Sequence, residues 1–316
     1  MDAPALGTVV AACALAGAWA LDLAFGEPRD RWHPVAWLGR VLGPVGAWCR
    51  ARPPRVAVVS GAFAWTLVTG AAAALGFALE AAAGALPAAA GAVLLAVALK
   101  PTFSWRMLRD EVAAVDAAFA ESLDAARSRV ARLVSRDVSA FDATAVRETA
   151  IETLAENLND SLVAPLFWFV VAGLPGAAVY RAANTMDAMW GYRGRWEWAG
   201  KFAARADDVL SWVPARLTAW LLAGWPRGLA VEAARTPSPN GGWPMGAMAL
   251  HLGVRLSKPG VYALNATAPP PAPADLPRAL ACATRAAWCA TGLAVLALVL
   301  VMVLVTVLAP AGRALP

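Results

Sequence analysis

Apolar residues gather in long blocks along this chain. The first, residues 6–25, is interrupted only by Asp22. At 1.5 Å per helical residue it reaches about 30 Å, the thickness of a hydrocarbon core, and it predicts a first spanning helix. A cleaved signal peptide is a poorer reading, because no basic residue precedes the block and further apolar blocks follow it. Residues 56–79 and 85–99 predict a second and a third span, joined as a tight hairpin around Glu80 and Pro87. Both are rich in Ala and Gly, the small residues that let helix backbones approach closely in lipid. Residues 279–309 predict the last span, uninterrupted from Gly292 to Leu308. The Pro-rich stretch 268–277 reads as a stiff linker feeding it.

Two apolar stretches are broken. Residues 162–180 contain Pro165 and the Gly173-Leu174-Pro175-Gly176 interruption, and residues 217–225 run into Pro226 and Arg227. Composition explains why such stretches belong to a membrane protein: 59% of residues are hydrophobic and only 16% charged, too little charge for a soluble surface. The distribution of charge then orients the chain. Of 27 Lys and Arg, 26 lie between the first span and residue 285, and only Arg313 lies beyond the last span. Basic residues accumulate on the cytoplasmic side, so residues 161–180 are read as a re-entrant or interfacial helical hairpin that returns to the same face. A full crossing there, returning near residue 217, would export the six basic residues of 181–216. The predicted fold class is therefore all-α: a single polytopic membrane domain over 1–316, with about four spans, one re-entrant hairpin and amphipathic cytoplasmic helices.

The net charge of +5 mainly reports this orientation, and no nucleic-acid partner is expected. Four cysteines and two histidines show no zinc spacing.

The polar segments lie in 100–160 and 181–262. Leu108, Val112, Val115, Phe119, Leu123, Val130 and Leu133 recur every three to seven residues and predict an amphipathic helix over 103–134. In the next helix, which Ser139 or Asp142 can cap, Glu148, Glu152, Glu156 and Asn159 fall within an arc of about 80°. Like charges at i, i+4 repel, so the stripe calls for a cation, either Mg²⁺ or an arginine. A solvated acidic face balanced by Arg136 and Arg147 is the competing reading. Polar residues then crowd the run Glu156-Asn157-Leu158-Asn159-Asp160-Ser161. Beyond the hairpin, Arg181, Asn184 and Asp187 step along one helix, followed by Gly191, Arg193 and Gly194. Carboxylates from one flank and guanidinium groups from the other suit a magnesium polyphosphate; internal salt bridges would use the same residues. The loop Pro237-Ser238-Pro239-Asn240-Gly241-Gly242-Trp243-Pro244-Met245 offers either close backbone approach to a ligand or a structural turn. No phosphate-loop, dinucleotide-binding or nucleophile-elbow motif is present.

Taken in order, Asp22-x3-Gly26-Glu27-Pro28 with His33-Pro34-Val35, Arg136-Asp137-Val138-Ser139, Glu152 through Ser161, Tyr180 through Thr185 with Asp187, Gly191-Tyr192-Arg193-Gly194 and Pro237 through Met245 resemble the adenosylcobinamide-phosphate synthase family of cobalamin biosynthesis. The resemblance runs from about residue 20 to Tyr262. Glu27 stands where Asp is expected, and Phe141 is a similarly mild variation.

The resemblance implies an enzyme of the cytoplasmic (inner) membrane, with its active site on the cytoplasmic side. The reaction it implies is ATP-dependent amide formation between a propionate of adenosylcobyric acid and (R)-1-aminopropan-2-ol O-phosphate, giving adenosylcobinamide phosphate. An amine and a carboxylic acid form an inert ion pair at neutral pH, so the carboxylate must first be activated, as in an acyl phosphate; ATP, Mg²⁺ and arginines are the usual means. On that footing Glu152, Glu156 and Asp160 are expected to hold Mg²⁺, Arg181 and Arg193 to take phosphate oxygens, and Asn184 and Asp187 to position reacting groups. His33, Arg136, Asp137, Asn159, Asn240 and Trp243 are expected to bind substrate. Trp190, Trp196 and Trp243 would offer the corrin a flat apolar surface, although interfacial anchoring is the ordinary role of tryptophan. Other cobalamin-pathway enzymes or a second copy of the chain are the expected partners besides lipid. Two other readings stand beside this one: a non-catalytic membrane sensor of a related branch, and a corrinoid transporter gated at Gly173–Gly176.

Overall fold

The computed structural model describes residues 3–192 and 194–308. It is helical almost throughout, in the order α1 (Ala3–Phe25), α2 (Pro34–Arg50), α3 (Pro54–Gly84), α4 (Ala88–Leu99), α5 (Trp105–Ala118), α6 (Leu123–Val130), α7 (Ala143–Leu158), α8 (Ala164–Trp190), α9 (Lys201–Leu210), α10 (Trp212–Ala223), α11 (Leu229–Ala233), α12 (Gly242–Leu252), β1 (Leu256–Lys258), β2 (Tyr262–Leu264) and α13 (Asp275–Leu308). Among the described residues, five helical runs are long and apolar enough to cross a membrane, and one of them, Ala143–Trp190, is broken at Gly173. The protein is an all-α, multi-pass membrane protein. Its contacts divide into two compact units, one of residues 1–103, 165–204 and 290–316, the other of 104–164 and 205–289.

In the first unit α1 packs on α4, and Gly17 lies so close that a Cβ there would sit 3.1 Å from Ala96. α3 and α4 form the expected hairpin, with Pro87 as N-cap of α4 and Gly91 against the Ala83 carbonyl. The Arg-rich segment between the first two spans, expected as a loop, contains α2. Its buried face meets α3 through Leu42 and Ala64, and through Cys49 and Ala57. Arg40 and Pro44 interrupt its apolar spacing.

Residues 165–190 show why the sequence breaks at Gly173. Ala172 and Gly173 leave helical geometry, Gly173 with φ +63° and ψ −159°. A Cβ on Gly176 would stand 2.5 Å from the Trp168 carbonyl oxygen. On a straight helix those residues would be about 12 Å apart along the axis, so the chain doubles back and α8 is a helical hairpin. Glu80 of α3 accepts the Leu174 N–H at 2.7 Å, placing a carboxylate on the start of the returning arm, where the helix dipole favours it. The returning arm then packs on α3 and α2: Pro175 lies against Gly76, and the fully buried Trp190 against Gly46.

In the second unit, the helix expected over 103–134 is two helices. α5 stops at Ala118, and Ser122 restarts the chain by accepting the Ala125 N–H at 3.0 Å as N-cap of α6. Asp142, not Ser139, caps α7 through the Ala145 N–H at 2.7 Å. α7 is enclosed by α5, α6, α12 and β1, with Ile151, Leu154 and Leu158 fully buried. Each such side chain contributes about 1.5–3 kcal/mol. Two strands of three residues, unforeseen in an all-α reading, pair antiparallel with Lys258 opposite Tyr262 around Gly260 at φ +72°. α13 begins at Asp275, inside the stretch expected as a linker, because Pro277 is tolerated in a first helical turn; residue 309 of the expected span lies outside the described residues.

Candidate functional site

α7 carries the acidic stripe, and the structure buries most of it. Glu148 and Glu152 are 3% and 4% exposed, so the stripe is no solvated face. Arg147 does not balance it, since its guanidinium lies 4.2 Å over the Phe119 ring. Each acid along the stripe meets a different element. Ser257 donates to Glu148 Oε2 at 2.6 Å and Arg255 to Oε1 at 3.3 Å, which ties the β-hairpin to α7. Arg136 reaches Glu152 Oε2 at 3.5 Å and donates to Thr149 Oγ1 at 2.8 Å. Glu156 is exposed, and its carboxylate abuts Gly241, where a Cβ would come within 2.7 Å of Oε1. Asn159, at the start of a π-turn over Asn159–Val163, accepts the Thr218 hydroxyl from α10 at 3.1 Å and donates to Asp160 Oδ1 at 2.8 Å.

Glu152 is the least satisfied of these groups. Its Oε1 is buried and has no hydrogen-bond partner, as is the Nε of Arg136. Burial and then the neighbouring Glu152 push the Tyr262 hydroxyl up. An unpaired buried polar group costs about 1–3 kcal/mol, and unsatisfied groups of this kind mark ligand sites as well as strain.

The expected Asn240 loop lies in the same unit. Arg216, which the sequence reading passed over, holds it in place. Its guanidinium is sandwiched 4.1 Å from the Trp212 ring and 4.6 Å from the Trp243 ring, and it donates to Asn240 Oδ1 at 3.1 Å and to the Trp212 carbonyl at 2.7 Å. Asn240 Nδ2 donates to the Asp208 carbonyl at 2.7 Å, and Ser238 Oγ accepts the N–H groups of Asn240 and Gly241. Trp225 packs against Trp243 with ring centroids 5.2 Å apart and planes tilted by 34°. Trp212 and Trp225 are exposed, so the aromatic surface of this unit is Trp212, Trp243 and Trp225. Trp190 offers no such surface, because it is fully buried; it stacks on the half-buried Trp196 at 6.4 Å. Asp137 makes a local turn, its carboxylate held below the usual range by the Ser139 N–H, whereas its neighbour Arg136 reaches the stripe. The i, i+4 spacing of Trp212 and Arg216 was the available signal for the clamp; Tyr262 gave none.

The other expected residues belong to the first unit. His33 is the N-cap of α2: its Nδ1 accepts the Val35 N–H at 3.1 Å and its Nε2 meets Glu27 Oε2 at 2.5 Å. Lys100 joins Glu27 at 2.5 Å and the fully buried Asp22 at 3.0 Å. The opening motif thus builds an ion network that ties α1, α2 and α4 together. Arg181 lines an apolar cavity of about 340 Å³ with Leu38, Leu75 and Thr102. Asn184 is half-buried, and Asp187 lies against Gly191, whose N–H donates to the Asp187 carbonyl at 2.6 Å. Arg193 lies outside the described residues.

Among the described residues no group of three or more His, Cys, Asp or Glu side chains comes together as a metal cage. Mg²⁺ seldom uses one: it keeps waters and is held by one or two carboxylates plus substrate phosphates. The unpartnered Glu152 Oε1 and the exposed Glu156 fit that mode of binding.

The sequence matches the family model described as CobD/Cbib protein over residues 15–283. Curated relatives include a probable cobalamin biosynthesis protein CobD of Pyrococcus abyssi, 43% identical over 76% of this chain and 81% of its own length. The cobalamin biosynthesis protein CobD of Rhodobacter capsulatus is 41% identical over 84% of this chain and 90% of its own. No solved structure matches. With the match covering most of the chain and most of each relative, the chain belongs to the CobD/Cbib family.

Proposed function

We propose that this protein acts in cobalamin biosynthesis as an ATP-dependent amide synthase of the cytoplasmic membrane, joining (R)-1-aminopropan-2-ol O-phosphate to a propionate of adenosylcobyric acid to give adenosylcobinamide phosphate. Membership of the family and the names of its curated relatives support the pathway. The observation that carries the chemistry is the Glu152–Arg136 pair: a buried carboxylate with one oxygen lacking a partner, beside a guanidinium, with Glu156 exposed one turn further on.

Amide formation needs the propionate activated at the expense of a phosphoanhydride bond. Glu152 and Glu156, with Asp160, are the residues that would hold Mg²⁺, and the ion, when bound, would neutralise charge on the polyphosphate. Arg136 supplies a fixed positive charge beside the stripe. The aromatic surface of Trp212, Trp243 and Trp225 offers a corrin an apolar face, and Asn240, clamped by Arg216, borders it.

The test is direct. Purified protein is incubated with adenosylcobyric acid, aminopropanol phosphate and Mg-ATP, and adenosylcobinamide phosphate is sought by mass. Folded protein that forms none is not this synthase. Corrinoid uptake by proteoliposomes without ATP would favour transport instead.

A further inference from the structure

The run Glu156-Asn157-Leu158-Asn159-Asp160-Ser161 serves two sides of its helix. Glu156 and Asn159 face the carboxylate stripe, whereas Asn157 and Ser161 lie about 140–180° round the axis from the middle of that stripe and line a separate pocket of about 250 Å³ with Ser104, Glu111, Arg132 and Leu133. The π-turn over Asn159–Val163 opens the helix here, and the Ser161 carbonyl accepts the Ser104 N–H at 2.8 Å, which fixes one wall. π-turns recur at functional sites because they redirect side chains within a helix.

The chemistry of this pocket is specific. Arg132, 58% exposed, donates to Glu111 Oε1 at 2.6 Å with one nitrogen, which leaves the rest of the fork to other acceptors. Ser104, Ser161 and Asn157 add neutral donors beside it. That donor set suits an oxyanion, phosphate above all. Glu111 Oε2, by contrast, is out of water with no hydrogen-bond partner, a carboxylate oxygen that wants a donor. We propose that this pocket binds a small zwitterion, its phosphate on Arg132, Ser104, Ser161 and Asn157 and its ammonium on Glu111. The pocket is below the usual size for drug-sized ligands and suits a molecule of a few carbons. Identifying that zwitterion with the amine substrate rests on the amide-synthase reading; the pocket itself does not.

The test is binding without turnover. Full-length protein in detergent is titrated calorimetrically with 1-aminopropan-2-ol O-phosphate, with inorganic phosphate and with 1-aminopropan-2-ol, in the absence of ATP and corrinoid. The zwitterion should bind at least tenfold tighter than either half. Arg132→Gln, on an exposed turn, and Glu111→Gln, nearly isosteric, should each weaken it tenfold or more with an unchanged melting profile. Inorganic phosphate binding as tightly as the zwitterion, or both variants binding like wild type, overturns the pocket. Zwitterion binding lost in Arg132→Gln by a protein that makes no cobinamide phosphate upholds the pocket and removes only the synthase reading. Product formed with an amine KM unchanged in both variants does the reverse.

Discussion

Ser257 Oγ donates to Glu148 Oε2 at 2.6 Å, joining residues 109 positions apart. Without it the buried Glu148 keeps only Arg255 at 3.3 Å. Ser257→Ala should therefore lower stability by about 1–2 kcal/mol, read as a drop in the thermal unfolding midpoint, and Ser257→Thr should restore most of it. An Ala variant as stable as wild type would show that Arg255 alone satisfies the acid.

Glu152→Gln keeps the shape of the side chain and removes its charge beside Arg136. With Mg-ATP present, amide synthesis should fall about 100-fold or more in a protein whose melting profile shows it folded. Full synthesis by the folded variant would remove Glu152 from the site.

Gly173 occupies backbone space closed to other residues, at φ +63° and ψ −159°, and a Cβ there would run into the Glu80 carboxylate. Gly173→Ala should cost about 1–3 kcal/mol, and the loss should be partly relieved in Gly173→Ala/Glu80→Ala. Equal losses in single and double variants would place the whole cost in the backbone.

Arg216 should not be replaceable by lysine. Its planar fork stacks on two indoles and reaches Asn240 together, which a point charge cannot do. Arg216→Lys and Arg216→Ala should both expose the 237–241 segment to limited proteolysis, with the rest of the protein intact. Protection in the lysine variant would reduce the clamp to charge alone.

The side on which 181–216 lies is testable by labelling. In a background with all four cysteines replaced, Glu197→Cys, at an exposed position, should react with an impermeant thiol reagent only after the cells are opened. Labelling of intact cells would make residues 162–180 a full crossing.

Much of this architecture is legible in the residues. Long apolar runs announce α1, α3 and α13 because lipid demands them, and Gly173-Leu174-Pro175-Gly176 announces a reversal because little else tolerates that backbone. The alignment of Glu148, Glu152, Glu156 and Asn159 follows from helical geometry alone. What surrounds them does not. The partners of the stripe, Ser257, Arg255, Tyr262 and Thr218, come from 59 to 109 positions away or from a hairpin whose three-residue strands carry no periodic signal. His33 is legible only as part of its motif: no periodicity shows that its ring caps α2 and meets Glu27.

Lys100 stands at the end of α4, within the run Ala88–Ala118 that is long and apolar enough to cross a membrane. It is 8% exposed, and its charge is met by Asp22 and Glu27 at the far end of α1. Neither helix can settle alone, since α1 would leave an acid, and α4 a base, without its counterion. α1 is made first, so a chain that stops before residue 100 lacks the cation that meets Asp22 and Glu27. The two helices are one electrostatic unit, and a neutral residue at position 100 should be felt at the end of α1.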